Sequence, residues 1–110
     1  METSPYSFLP YSLGFVTVVT PGTAVQLVAA HTFASNLQLD PRRNATTLNV
    51  GNVYIGGSNL SKNTASTIYA ILAPEQIQSV LTALRYPIDI SAWYVDADNM
   101  NDGVLIGYAR

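Results

Sequence analysis

The feature that most constrains this chain is its rhythm. Short β-branched and aromatic runs recur along it, and each is cut off by Gly, Pro, Asn or Asp before it could make three turns of helix. Phe15 to Thr20, Ala24 to Ala29, Asn36 to Leu39, Leu48 to Ile55, Thr67 to Leu72, Ile88 to Val95 and Val104 to Tyr108 are such runs. Val, Ile, Thr, Tyr and Phe suit a pleated, half-buried surface. Roughly seven or eight short strands at spacings of about 8–15 residues, with turn chemistry between them, predict an all-β sandwich or barrel. Nothing alternates with long helices, so a parallel α/β sheet is not expected.

Individual segments sharpen this. Pro21-Gly22 is a turn signal, Pro presetting φ and Gly tolerating positive φ, and it predicts a hairpin over residues 15–30. Asn36-Leu37-Gln38-Leu39 alternates polar and apolar, the pattern of a half-buried strand, and Asp40-Pro41 reads as the turn or loop after it. Leu48 to Ile55 is broken at Gly51-Asn52 and ends in the loop Gly56-Gly57-Ser58-Asn59. Thr67 to Leu72 places Ile68, Ala70 and Leu72 on one face. In residues 74–84, Pro74 and Glu75 suit a helix start, and Ile77, Val80, Leu81 and Leu84 share a helical face. A short helix is expected there, with a strand as the alternative. Asp102-Gly103 predicts a tight hairpin between the strand ending near Val95 and the strand Val104 to Tyr108.

Two segments organise the chain. Residues 1–13 hold two prolines but also Tyr6, Phe8, Leu9, Tyr11 and Leu13, too aromatic for a solvated tail. They read as an extended N-terminal arm that packs on something, either its own sandwich or a neighbouring subunit. Residues 14–110 read as one β-sandwich domain.

The chain has 110 residues, of which 48% are hydrophobic and only 11% charged. Soluble proteins typically carry about 25% charged residues. The shortage implies either a surface partly covered by a partner or a small sandwich rich in Thr, Asn and Ser. The net charge of −2, with Arg42-Arg43 the only adjacent basic pair, gives no patch for nucleic acid. The absence of cysteine excludes disulfides and thiolate metal sites. The apolar run Ile68 to Ala73 is far too short to cross a bilayer as a helix, so no membrane partner is expected. Residues 1–13 do not read as a secretory signal, and synthesis in a cytoplasm is expected.

Catalytic chemistry finds little purchase. His31 is the sole histidine, and without cysteine a Ser–His–Asp set would be its main use. No G-x-S-x-G elbow is present, and an enzyme is not expected. Asp96, Asp98 and Asp102, with Asn99 and Asn101, could supply oxygen ligands to Ca²⁺, but Met100 falls where an EF-hand needs a ligand. Turn formation explains these residues as well, so no metal and no cofactor is expected. Gly56-Gly57-Ser58 matches no phosphate-binding loop. Tyr54, Tyr69, Tyr86, Trp93, Tyr94 and Tyr108 are expected as core residues and interface anchors, with a sugar-stacking platform as the alternative.

Three segments, in order, resemble small structural proteins of tailed bacteriophages. They are Val16-Thr17-Val18 through Pro21-Gly22-Thr23-Ala24-Val25-Gln26-Leu27, then Gly51-Asn52-Val53-Tyr54-Ile55-Gly56-Gly57, then Ile88 to Asp98 with Asp102-Gly103-Val104. The chain is most similar to the capsid decoration, or cement, proteins of short-tailed phages. That resemblance implies a jelly-roll-like β-sandwich bound to the outside of a capsid. It implies the major capsid protein as partner, a homo-oligomer with a dimer favoured, and a place on the virion exterior. Interfaces enrich Tyr, Trp and Phe and deplete Lys and Glu. Seven tyrosines beside Lys62, Glu2 and Glu75 agree. Tyr6, Phe8, Leu9, Tyr11, Trp93 and Tyr94 are the candidate partner-binding residues. Other virion parts (tail, neck or head-fibre base) and a carbohydrate-binding sandwich are the alternative readings.

Overall fold

The computed structural model describes residues 11–75, 78–81 and 86–109, with only the backbone considered at 78–81. Its strands are β1 (Tyr11–Thr17), β2 (Val25–Gln26), β3 (Phe33–Ala34), β4 (Asn36–Asn44), β5 (Thr47–Leu48), β6 (Val53–Gly56), β7 (Ile68–Leu72), β8 (Gln78–Leu81), β9 (Ile88–Asp89), β10 (Tyr94–Ala97) and β11 (Gly103–Ala109). Single 3₁₀ turns at Ala65–Thr67 and Ile90–Ala92 are the helical elements among the described residues. The protein is all-β, as its rhythm predicts.

Every strand pair is antiparallel, and the pairs are nested. β1 lies on β11, β2 on β10, β3 on β9, β4 on β8, and β6 on β7. The chain thus runs out along one side of a ribbon and returns along the other, turning back between β6 and β7, while β5 forms a side hairpin on β4. The ribbon coils into two main sheets. One has the order β1-β11-β4-β5, with β8 also on β4; the other has the order β2-β10-β6-β7.

Alternation decides which side chains meet. On β4 and β11, Leu37, Leu39, Val104, Ile106 and Tyr108 point inward and are buried. On β6, β7 and β10, so do Val53, Ile55, Leu72, Val95 and Ala97. These two sets, with Val18, Leu27, Ala34 and Ile90, form one hydrophobic cluster between the sheets. Gly103 stands where β11 passes close to β1, and any β-carbon there would collide with the carbonyl of Val16.

Several local expectations are corrected. Residues 15–30 do not form a hairpin, because β1 and β2 belong to different sheets. The turn itself is present: Thr23 N–H donates to Thr20 O at 3.0 Å, with Gly22 at φ +95°, the conformation a type II turn needs at that position. It carries the chain from one sheet to the other. Asp102-Gly103 likewise joins strands of different sheets, and the left-handed residue is Asn101 at φ +72°. Asp40-Pro41 does not end a strand; β4 runs through it. Pro41 falls between the β8 contact, which stops at Leu39, and the β5 contact, which starts at Arg42. Its missing N–H is tolerated there because, among the described residues, no strand pairs with that edge of β4 at Pro41. Residues 78–81 form strand, not helix, because the free edge of β4 at Leu37–Leu39 offers backbone partners that outweigh local propensity. The flanking residues 76, 77 and 82–84 lie outside the described residues. Residues 11–13 are part of β1, and residues 1–10 of the expected arm lie outside the described residues.

The inward and outward faces should respond very differently to substitution. Leu39→Ala removes a fully buried side chain and should cost about 2–5 kcal/mol. Ile71→Ser, on the exposed face of β7, should change stability by no more than about 0.5 kcal/mol. Urea unfolding of both variants checks the assignment of faces.

Candidate functional site

Loops at one end of the two sheets converge on a single carboxylate. β1 and β10 end there, at Thr17 and Ala97, and β6 and β11 begin there, at Val53 and Gly103. Asp102 sits among them with its side chain fully buried. A buried carboxylate is costly unless its lone pairs are filled. Here they are. Arg43 Nε donates to Asp102 Oδ1 at 2.7 Å, the Val50 N–H to the same oxygen at 3.0 Å, and the Gly51 N–H to Oδ2 at 2.9 Å. Arg43 also donates from its NH2 group to Met100 O at 3.0 Å, closing the loop back on itself.

Beside the carboxylate, the Asn49 side chain imitates a strand. Its Oδ1 accepts from Gly103 N–H at 3.0 Å and its Nδ2 donates to Gly103 O at 2.9 Å, with both residues buried. Val18 N–H donates to Asp102 O at 2.9 Å and Val18 O accepts from Asn101 N–H at 2.8 Å. Asp96 anchors the adjacent turn, its Oδ1 accepting from Gly22 N–H at 2.9 Å and from Ala97 N–H at 2.8 Å. The loops around residues 18–23, 49–52 and 98–102 are thereby fixed to one another.

What these loops present outward is apolar. Val19 is 61% exposed, Val50 66% and Met100 59%. Each lies within two residues of a backbone or side-chain group bonded to Asp102 or Arg43. The nearby charges are internally paired: Arg43 with Asp102, and Lys62 with Asp98 at 3.7 Å. Tyr54 donates its hydroxyl to Asp98 at 3.0 Å, and burial together with that hydrogen bond raises its pKa above the ordinary phenol value. The result is a hydrogen-bonded scaffold under three uncharged projecting side chains. Apolar residues held out on ordered loops are the usual marks of a protein-binding surface.

The residues expected from sequence are placed differently. Tyr11 is exposed in β1 with its ring 5.1 Å from Tyr108. Trp93 is half-buried against the core and meets Tyr69 edge-on at 5.3 Å; Tyr94, also half-buried, lies in β10. Tyr11 therefore belongs to one sheet and the Trp93-Tyr94 pair to the other. Tyr6, Phe8 and Leu9 lie outside the described residues. Asp96, Asp98 and Asp102 do not converge: each has separate partners, and among the described residues no cluster of three or more metal-ligating His, Cys, Asp or Glu side chains forms. Val19, Val50 and Met100 were not among the expected binding residues. Their signal was an apolar residue next to turn formers, as in Asn49-Val50-Gly51 and Asn99-Met100-Asn101.

The opposite end gathers His31, Asp89 and Ser91. Asp89 Oδ1 accepts from Thr32 N–H and from Ser91 N–H, each at 3.0 Å, capping the 3₁₀ turn, while Oδ2 contacts His31 Nδ1. Ser91 Oγ lies 3.4 Å from the same Nδ1. A proton relay to serine needs the carboxylate on one ring nitrogen and the hydroxyl on the other. Both groups here share Nδ1, so the cluster is arranged as a clamp between β3 and β9, not as a relay.

Burial pushes the Asp89 carboxyl up, but the hydrogen bonds from Ser91, His31 and Thr32 outweigh it and hold the pKa well below the usual aspartate range. A depressed folded-state pKa gives stability that is present above the unfolded value, near 3.9 for aspartate, and lost as the pH falls below it. Acid unfolding of Asp89→Asn should therefore show a shallower loss of stability below about pH 4 than the wild type. At neutral pH, Asp102→Ala should cost about 3–5 kcal/mol, because it strands the Arg43 guanidinium and two loop amides. Equilibrium unfolding in urea measures both. No family model, no curated protein and no solved structure matches this chain.

Proposed function

We propose that this chain is a structural virion protein that binds the outer surface of a phage capsid and cements neighbouring capsid subunits. The observation that carries the reading is the uncharged apolar end formed by Val19, Val50 and Met100 over the buried Asp102 scaffold. Such an end suits insertion into an apolar socket on another protein. Preorganised loops lose little entropy on docking. A shell offers many identical sites, and a ligand that binds only the assembled shell stabilises it by mass action.

The fold reading that accompanies this is a jelly roll. A jelly roll is an antiparallel ribbon rolled into two packed sheets, and viral capsid domains use it among others. The nested pairing of β1 with β11, β2 with β10, β4 with β8 and β6 with β7 supports that reading. So does the alternation of successive pairs between the two sheets. A dimer on the capsid exterior is part of the same proposal, with the major capsid protein as partner.

The exposed Tyr69 ring, held edge-on by Trp93, favours a carbohydrate-binding sandwich as the second reading. An aromatic ring fixed in this way could stack on a sugar. A glycan array with Tyr69→Ala as control separates the two: a specific hit lost in that variant supports sugar binding.

The decoration reading is tested by co-sedimentation with purified tailed-phage capsids and by capsid melting. The wild type should bind and raise the melting temperature. Val50→Glu and Met100→Glu should weaken binding by about tenfold or more, the effect of placing one charge in an apolar contact. Both should leave the isolated domain within about 0.5 kcal/mol of wild-type stability, since both side chains are exposed. Absence of binding by the wild type would contradict the proposal. Labelled-particle electron microscopy distinguishes the head from tail, neck or fibre positions.

A further inference from the structure

The Asp102-Gly103 link, the only Asp-Gly in the chain, is a chemically vulnerable sequence set in a protective structure. In a flexible chain the amide nitrogen of the glycine attacks Cγ of the neutral aspartic acid. A C–N bond forms, one water leaves, and the link becomes a cyclic imide. Water then adds to either imide carbonyl, restoring aspartate or leaving isoaspartate, in which the main chain runs through the former side chain. Glycine makes this easiest because no β-carbon hinders the approach and its backbone turns freely.

Both reactants are engaged here. The nucleophile, Gly103 N–H, donates to Asn49 Oδ1 at 3.0 Å, and the Gly103 carbonyl is held by Asn49 Nδ2 at 2.9 Å. The electrophile is a buried carboxylate paired with Arg43 at 2.7 Å and bonded to the amides of Val50 and Gly51. Rotation of the link is opposed on its other side by the bond from Val18 N–H to Asp102 O.

We propose that Asp102-Gly103 is a latent isoaspartate modification site, kept closed by the two-point clasp of Asn49 on Gly103. Each opening of the clasp exposes the amide, and conversion then lengthens the main chain by one carbon at the centre of the scaffold. The displaced carboxylate can no longer meet Arg43, Val50 and Gly51 together, so the opened end cannot re-form. The site thereby links local opening to irreversible loss of the folded loop arrangement.

The test uses the full chain, aged near neutral pH both folded and in denaturing urea. Isoaspartate is read by methyltransferase labelling and located by fragmentation mass spectrometry. Folded wild type should form isoaspartate at position 102 at least about tenfold more slowly than the denatured chain, as protection by a closed state requires. Asn49→Ala, where circular dichroism shows it folded, should convert several-fold faster than folded wild type. Asp102→Glu, whose ring closure is much slower, should lose the signal. If Asn49→Ala does not fold, wild type in sub-denaturing urea supplies the same readout, its rate rising before global unfolding. Equal rates in folded and denatured wild type would overturn the proposal. So would a folded Asn49→Ala no faster than wild type, or a rate in sub-denaturing urea that follows global unfolding alone.

Discussion

One buried carboxylate sets the shape of the end of this molecule that projects furthest from ordinary sandwich design. Asp102 gives up water, and its cost is offset by a guanidinium and two backbone amides drawn from two other segments. A buried ion pair is a weak source of net stability but a strong constraint on geometry. Its geometric demand explains why loops that share no strand pairing are fixed to one another. Arg43 comes from the end of β4, Val50 and Gly51 from the connection between β5 and β6, and Asp102 from the connection between β10 and β11. Asn49 then adds strand-like bonding to Gly103, the first residue of β11. The apolar side chains of Val19, Val50 and Met100 inherit a fixed position from this scaffold, and the proposed docking role rests on that.

The same division of labour runs through the fold. The hydrophobic cluster between the sheets supplies the driving force and is built from plain alternation on β4, β6, β10 and β11. Buried or half-buried polar groups specify connections: Asp96 pins the Pro21-Gly22 turn, Asp102 pins three loops, and Asp89 pins the junction of β3 with the 3₁₀ turn after β9. Three of the chain's few acidic residues are thus spent on internal amides. A chain with 11% charged residues that commits three of its five aspartates to internal amides has little charge left to keep its exterior wet.

Much of the local structure was legible in the sequence. Leu37 and Leu39 alternate with polar residues and are buried; Val104, Ile106 and Tyr108 do the same on β11; Pro21-Gly22 makes a type II turn. What could not be read was which strand meets which. A turn signal reports that the chain reverses, not that the two arms pair, and both strong signals, Pro21-Gly22 and Asp102-Gly103, carry the chain between sheets. Residues 78–81 illustrate the same limit, since their strand depends on an edge of β4 some forty residues away. The apolar end was hidden for a related reason. Val19, Val50 and Met100 are scattered in sequence, and their loops are tied together through Asp102 and Arg43; the acidic side chain of Asp102 reads locally as a turn former.

The measurement that bears most directly on this account is amide hydrogen exchange at Val50 and Gly51, resolved by NMR. If Asp102 fixes these loops, both amides should be protected to nearly the level of Ile106 in β11, although Val50 is among the most exposed apolar residues. Exchange at the rate of an unstructured loop, with the β11 amides still protected, would show that the carboxylate does not hold this end together.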